Sequence, residues 1–258
     1  MLTLGIDLSA QPEKTALCSI RWHGGEVEIE ELRTNCDNDA LLARMLSADW
    51  IGIDAPFGWP ELFVTTIKRW AGRGTWPKVE RDELRFRETD RFVKETARLP
   101  LSVSTDRIGI CAMRCAALLT EFAKQRPGSS KWVDRSGADQ VVEVYPGASL
   151  PQWSDEGADL RLDPGGYKGT KSEAVTKRER LIEGLEKAAP WLRLNPDHRE
   201  QCLKTDDALD AVLCALIARA AQCGQTMAPE TKEQAELAPI EGWTHLPRRG
   251  SLATLASG

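Results

Sequence analysis

The sequence predicts an α/β protein whose sheet starts as an antiparallel hairpin and continues in parallel strands. Three observations carry this. Two apolar runs of strand length, around LTLGIDL (2–8) and WIGID (50–54), deliver an aspartate to their ends and then meet a turn signal. His23-Gly24-Gly25 separates two strand-like segments in the manner of a hairpin. Long helical patterns at Ile108–Lys124, Ser172–Ala188 and Thr205–Ala221 flank a further apolar strand.

In chain order, Leu2–Leu8 reads as a buried strand, and Thr15–Trp22 and Glu26–Leu32 as the arms of the hairpin. The second arm alternates charge with Val27 and Ile29, so one of its faces meets water. Asn38–Ala48 has an Asn/Asp start and reads as a helix. Trp50–Asp54 is a buried strand stopped by Ala55-Pro56, because proline cannot donate to a central ladder. The opening is therefore β-β-β-α-β. Residues 57–107 hold Trp59, Trp70 and Trp76, a Gly-Arg-Gly turn at 72–74 and a charged helical stretch from Lys78 to about Arg98. The tryptophans are read as core or interface packing, with base stacking the less favoured use. Ile108–Lys124 is apolar nearly all round and reads as a buried helix. VVEVY (141–145) is a strand closed by Pro146-Gly147. Ser172–Ala188 is amphipathic, and Thr205–Ala221 carries Leu209, Val212, Leu213, Leu216 and Ala220 on one face. Residues 224–258 turn to Glu, Ala, Pro and Thr and read as loosely attached, with Ile240–Pro247 docking through Trp243 and Gly250–Gly258 frayed. Neither repeat nor linker divides the chain, so residues 1–258 are read as one domain.

Bulk composition bounds the function. With 41% apolar and 28% charged residues the chain has ample material for a core. Its net charge of −5 argues against a general, non-specific grip on nucleic acid. Local charge differs: Lys68–Arg98 holds ten Lys/Arg against six Asp/Glu, which reads first as a solvated helix. Seven cysteines with no CxxC pair and three histidines give poor support to a zinc site. Several of the cysteines sit in apolar helical runs, as expected of thiols in a reducing compartment. A start directly on a strand-like run, and apolar runs too short for a membrane span, lead to the expectation of a cytoplasmic protein with no membrane partner.

Four acids stand where composition alone would not put them. Asp7 and Asp54 end apolar strands, Glu143 lies inside VVEVY, and Asp210 borders the apolar face of the last helix. A charge at the end of a buried strand is costly unless it is paired or metal-bound, and open α/β sheets bind ligands beyond the carboxyl ends of their strands. Each acid also has a plainer use. Asp54 could initiate a turn, Asp7 could cap one, Glu143 could pair with an arginine, and Asp206 or Asp207 could favour a helix N-terminus. On the last helix Asp206 and Asp210 are spaced i, i+4 and Asp207 and Asp210 i, i+3; the helical wheel favours Asp206 at the edge of the apolar stripe.

GIDLS (5–9), IGIDAPFGWP (51–60), RETD (87–90), EVYP (143–146), YK (167–168), DDALDAVLCALIA (206–218) and EGWTHLP (241–247) together resemble domain of unknown function family 429. That family is described as predicted nucleases with an RNase H-like fold. The resemblance implies catalytic carboxylates at Asp7, Asp54, Glu143, Asp207 and Asp210, with Asp7, Asp54, Glu143 and Asp210 as metal ligands; its D-x-x-D-A pattern prefers Asp207 over Asp206. It implies Arg87, Thr89, Asp90 and Lys168 at the phosphate rim, Mg²⁺ or Mn²⁺ as cofactor, and DNA or RNA as substrate. The low charge departs from what a nuclease would ideally carry. The plainer use of Arg87 is a pair with Asp90, and of Lys168 a surface lysine.

Two other functions fit parts of the pattern. An actin-like-ATPase-class small-molecule kinase also opens on a GIDxS-like strand, but Gln11-Pro12-Glu13-Lys14 lacks the glycine that lets a backbone wrap phosphates. A non-catalytic binding protein on the same fold would keep the motifs without the chemistry. Oligomeric state is not legible in the sequence.

Overall fold

A computed structural model describes residues 1–104, 106–126, 132–154, 162 and 165–257. Among them, five strands form one sheet in the order β3-β2-β1-β4-β5. β1 (Leu2–Asp7) pairs antiparallel with β2 (Ala16–His23), which pairs antiparallel with β3 (Glu26–Thr34). β4 (Trp50–Asp54) and β5 (Val141–Glu143) continue the sheet in parallel with β1. The hairpin-then-parallel sheet flanked by helices is the expected α/β fold.

The apolar runs decide the layers. Leu4, Ile6, Ile51 and Ile53 are buried beneath α1 (Asn38–Met45) and α5 (Asp106–Gln125), packed with Met45, Leu118 and Phe122. The other face holds Cys18, Ile20, Val142 and Val144 against α9 (Asp206–Gln222), which is buried from Ala208 to Ala220. Thr205 caps α9 by accepting a hydrogen bond from Asp207 N. α7 (Ser172–Ala188) and α8 (Pro196–Lys204) close this second layer.

Between β4 and α5 lie α2 (Glu61–Ala71), α3 (Arg81–Arg85) and α4 (Glu88–Thr96). The charged stretch expected as one helix is thus broken at Phe86-Arg87, because Arg87 must leave helical geometry to cap α4. Trp70 and Trp76 are exposed, 58% and 47%, and meet each other edge-on; Trp59 is half-buried. β5 stops at Glu143, two residues short of expectation, since Pro146 opens α6 (Pro146–Trp153).

The tail read as loosely attached is instead packed. α10 (Lys232–Glu241) starts with a Thr231/Gln234 capping box. Trp243, Leu246, Leu252 and Leu255 are buried, and Thr244 bridges to Glu143 beside β5. The docking of Ile240–Pro247 through Trp243 is as expected, whereas the polar composition of the segment hid the anchors Leu252 and Leu255. Of the stretch expected to fray, Gly258 lies outside the described residues. All seven cysteines are free thiols, and no helix among the described residues is long and apolar enough to cross a membrane.

Candidate metal centre

β1 and β4 run in register, with Gly5 opposite Gly52 and Asp7 opposite Asp54. Side chains alternate along a strand, so each glycine shares a face with the aspartate two residues on. α9 lies on that face. A Cβ at Gly5 would sit 2.1 Å from the Ala211 carbonyl oxygen, and one at Gly52 2.5 Å from that of Cys214. Only glycine lets the helix backbone come this close, and the approach delivers Asp210 to the ends of both strands. One carboxylate oxygen from each of Asp7, Asp54 and Asp210 then lies within 4.8 Å of the others.

The acids strain against this proximity. Burial raises Asp7 well above the usual carboxylate range, and the charges of Asp210 and Asp54 add to it. Asp54 is pushed up to about 7, mainly by burial; Lys168 opposes the rise, while Asp210 and Glu143 reinforce it. Asp210 is wholly buried and also raised, with Lys168 and Tyr167 holding it down. Tyr167 Oη donates to Asp210 Oδ1 at 2.6 Å. The Lys168 ammonium lies 2.6 Å from Asp210 Oδ2, although its side chain is half exposed. Loss of water would lower the lysine's pKa, but Asp210, Asp54 and Asp7 reverse this and hold it charged. Asp210 Oδ2 has no hydrogen bond beyond that ion-pair contact. Converging oxygen donors, mutual repulsion and an underused buried oxygen make a donor set that suits a hard divalent cation.

The structure does not bring Glu143 into this trio. Its Oε2 accepts from Phe57 N and from Arg87 Nη1, both at 2.8 Å. Its Oε1 accepts from Arg87 Nη2 at 2.7 Å and Thr244 Oγ1 at 2.9 Å. Those four bonds use the acceptor capacity of a carboxylate, leaving none for a metal. Arg87, Thr89 and Asp90, expected at the phosphate rim, are likewise sealed inside. Arg87 is 3% exposed and grips Asp90 through Nε and Nη2 as well as Glu143. Thr89 Oγ1 accepts from Thr244 N. Arg87 is held charged against its burial by Asp90 and Glu143. Neither of the neighbouring helix acids joins the trio: Asp207 bonds Thr205 Oγ1, and Asp206 accepts from Gly169 N at 2.9 Å.

Sequence reasoning missed four supports. Arg178, wholly buried, donates to the carbonyls of Tyr167, Gly169 and Leu203, fixing the loop that carries Tyr167 and Lys168. Its signal was a lone arginine among the apolar positions of α7. Tyr167 itself stood in the YK motif beside the chosen lysine. Glu241 accepts from Glu61 N and Glu88 N, so one carboxylate meets the N-termini of α2 and α4. Thr244 stood in the closing motif.

The defining pattern of the DUF429 family, described as a protein of unknown function, matches residues 5–234. The chain belongs to that family. No curated protein and no solved structure matches it. The DUF429 match encloses the three aspartates and the Tyr167-Lys168 loop, while Glu241 and Thr244, which complete the Glu143 network, stand beyond it.

Proposed function

We propose that this DUF429 protein is a divalent-metal-dependent phosphodiesterase acting on nucleic acid, with Asp7, Asp54 and Asp210 as the metal ligands. One observation carries the reading: three elements far apart in sequence deliver carboxylate oxygens to within 4.8 Å of one another, at the carboxyl ends of two parallel strands. Desolvated acids so placed repel each other, and a bound cation is the economical remedy. Mg²⁺ or Mn²⁺ bound there would polarise a phosphoryl oxygen and lower the pKa of a bound water.

The chain's own residues divide the remaining work. Tyr167 orients Asp210 through its 2.6 Å hydrogen bond. Lys168, on an exposed stem, moves its ammonium from Asp210 to a non-bridging phosphate oxygen. Glu143 and Arg87 act as positioning residues that brace the segment after β4 through Phe57 N. The second reading, a non-catalytic binding protein, draws on the same lysine, which already supplies the acids with a positive charge.

Cleavage decides between them. Single-stranded, duplex and branched oligonucleotides are incubated with wild type and Asp7→Asn in Mg²⁺, Mn²⁺ or EDTA. Metal-dependent cutting that vanishes in the variant supports the phosphodiesterase. Oligonucleotide binding that is identical with and without metal, and never followed by cutting, supports the binding protein.

A further inference from the structure

Trp70 and Trp76 belong to a segment that the metal centre leaves unused. α2 starts seven residues past Asp54, where its first amide, Glu61 N, bonds the Glu241 carboxylate. Only Thr66 of its eleven residues is buried. Ile67 and Trp70 stand one turn apart on the helix and are both exposed, as is Trp76 beyond its end. Large apolar side chains clustered at a surface, unlike single ones, mark an interaction site.

The two indole rings are held without being covered. Gly72 N, Arg73 N and Gly74 N donate to the carbonyls of Lys68, Trp70 and Arg69, closing the turn after α2. Arg69 Nη2 tightens that turn by donating to Thr75 Oγ1 at 3.0 Å. Trp76 is thereby set edge-on to Trp70, with ring centroids 6.1 Å apart. Within the turn Arg73 takes a φ of 64°, left-handed backbone in which glycine costs less. Backbone strain of this kind gathers at ligand-binding segments.

Charge around the rings has one sign. Between Glu61 and Glu80 the sequence holds Lys68, Arg69, Arg73 and Lys78 and no acid, in a chain whose net charge is −5. All four cations are exposed. We propose that this surface binds single-stranded nucleic acid, with unpaired bases stacking on Trp70 and Trp76 and phosphates meeting Lys68, Arg73 and Lys78. Aromatic rings interleaved with cations are the two parts that such binding needs. The choice of nucleic acid among anionic partners rests on the phosphodiesterase reading, which α2 serves by holding the strand that leaves the three aspartates. An acidic chain then grips a phosphate backbone at one segment and not over its whole surface.

The test is fluorescence anisotropy of a labelled thymidine oligonucleotide with the full chain, in EDTA so that nothing is cut. Trp70→Ala and Trp76→Ala should each weaken binding about fivefold or more, while Trp70→Phe keeps most of it. Lys68→Gln combined with Arg73→Gln should weaken binding and flatten the slope of log affinity against log salt by about 1.4, roughly 0.7 for each phosphate contact removed. These side chains are exposed, so unchanged melting temperatures confirm that the variants fold. Absence of binding to the folded wild type overturns the surface, and so does binding that both tryptophan variants leave unaltered. A duplex of the same length held as tightly overturns base stacking. Polyglutamate that displaces the oligonucleotide at equal charge overturns it in favour of an acidic protein partner. Capture by phosphatidylserine vesicles in place of the oligonucleotide overturns it in favour of a membrane surface. Because EDTA removes divalent metal, Asp7→Asn must bind the oligonucleotide like wild type. Binding that depends on the tryptophans, with no cleavage once Mn²⁺ is added, sinks only the phosphodiesterase. Cleavage that Asp7→Asn abolishes and the tryptophan variants leave unaltered sinks only the surface.

Discussion

Replacing Arg87 with methionine removes a cation bonded to two buried carboxylates, those of Glu143 and Asp90, which are 3% and 2% exposed. The methionine fills much of the arginine's volume, so the cavity contribution is small. What remains is the cost of leaving charges buried without a partner, about 3–5 kcal/mol when one side of a buried pair is deleted. Phe57 N and Thr244 Oγ1 still donate to Glu143 and soften the loss there. Among the described residues, Asp90 keeps only the Arg87 backbone amide. An expected loss of about 3–5 kcal/mol is a large share of a typical stability of about 5–15 kcal/mol. Urea unfolding at pH 7.5 measures it from the shift in midpoint at constant slope. A cost below about 1 kcal/mol would refute the structural role of Arg87 and return it to the phosphate rim, above all if cleavage were lost while stability held.

Further expectations follow from the same geometry. Gly5→Ala places a methyl group 2.1 Å from the Ala211 carbonyl, so α9 must retreat; urea unfolding should register at least the roughly 1–3 kcal/mol of an overpacked core, and metal affinity should fall as Asp210 withdraws. The raised Asp54 carboxyl keeps a proton in the native state that the unfolded chain has already lost, so the metal-free protein should lose stability as pH rises from about 4 through 7. Metal must displace that proton, so metal-induced stabilisation should grow between pH 6 and 8 in thermal unfolding; a flat response contradicts the assignment. Lys168→Met removes a positive charge 2.6 Å from Asp210 and should tighten divalent-metal binding on the order of tenfold, read by calorimetry. An unchanged or weaker affinity would show that the lysine does not compete for the site.

Much of the centre was legible because its logic is local. Asp7 and Asp54 end apolar strands, and a period of two places each on the face of a glycine that admits α9. Asp210 announced itself as an acid on a helix otherwise apolar at that face. Glu143 shows where such reasoning runs out. A carboxylate inside an apolar strand signals that a cation is near, but does not say whether the cation is a metal or Arg87, fifty-six residues away. On α9 the helical wheel favoured Asp206 and the family's D-x-x-D-A pattern Asp207, whereas the loop contact of Asp206 with Gly169 depends on where Arg178 pins that loop. The tail was misread for a related reason. The docking of Ile240–Pro247 through Trp243 was legible, but the average composition is polar and does not register that Leu252 and Leu255 reach the core as well.

Divalent-metal binding to the three aspartates is tested most directly by thermal unfolding of wild type and Asp7→Asn across a Mn²⁺ or Mg²⁺ titration at pH 8. At a hundredfold excess over the dissociation constant, metal bound only to the native state adds about 2.7 kcal/mol. For a chain of this length that is a rise of roughly 5–10 °C. Asp7→Asn should lose the rise while melting no lower than wild type without metal, because the substitution relieves a buried charge. A wild type indifferent to both ions, or an Asn variant that gains as much as wild type, would contradict the metal centre.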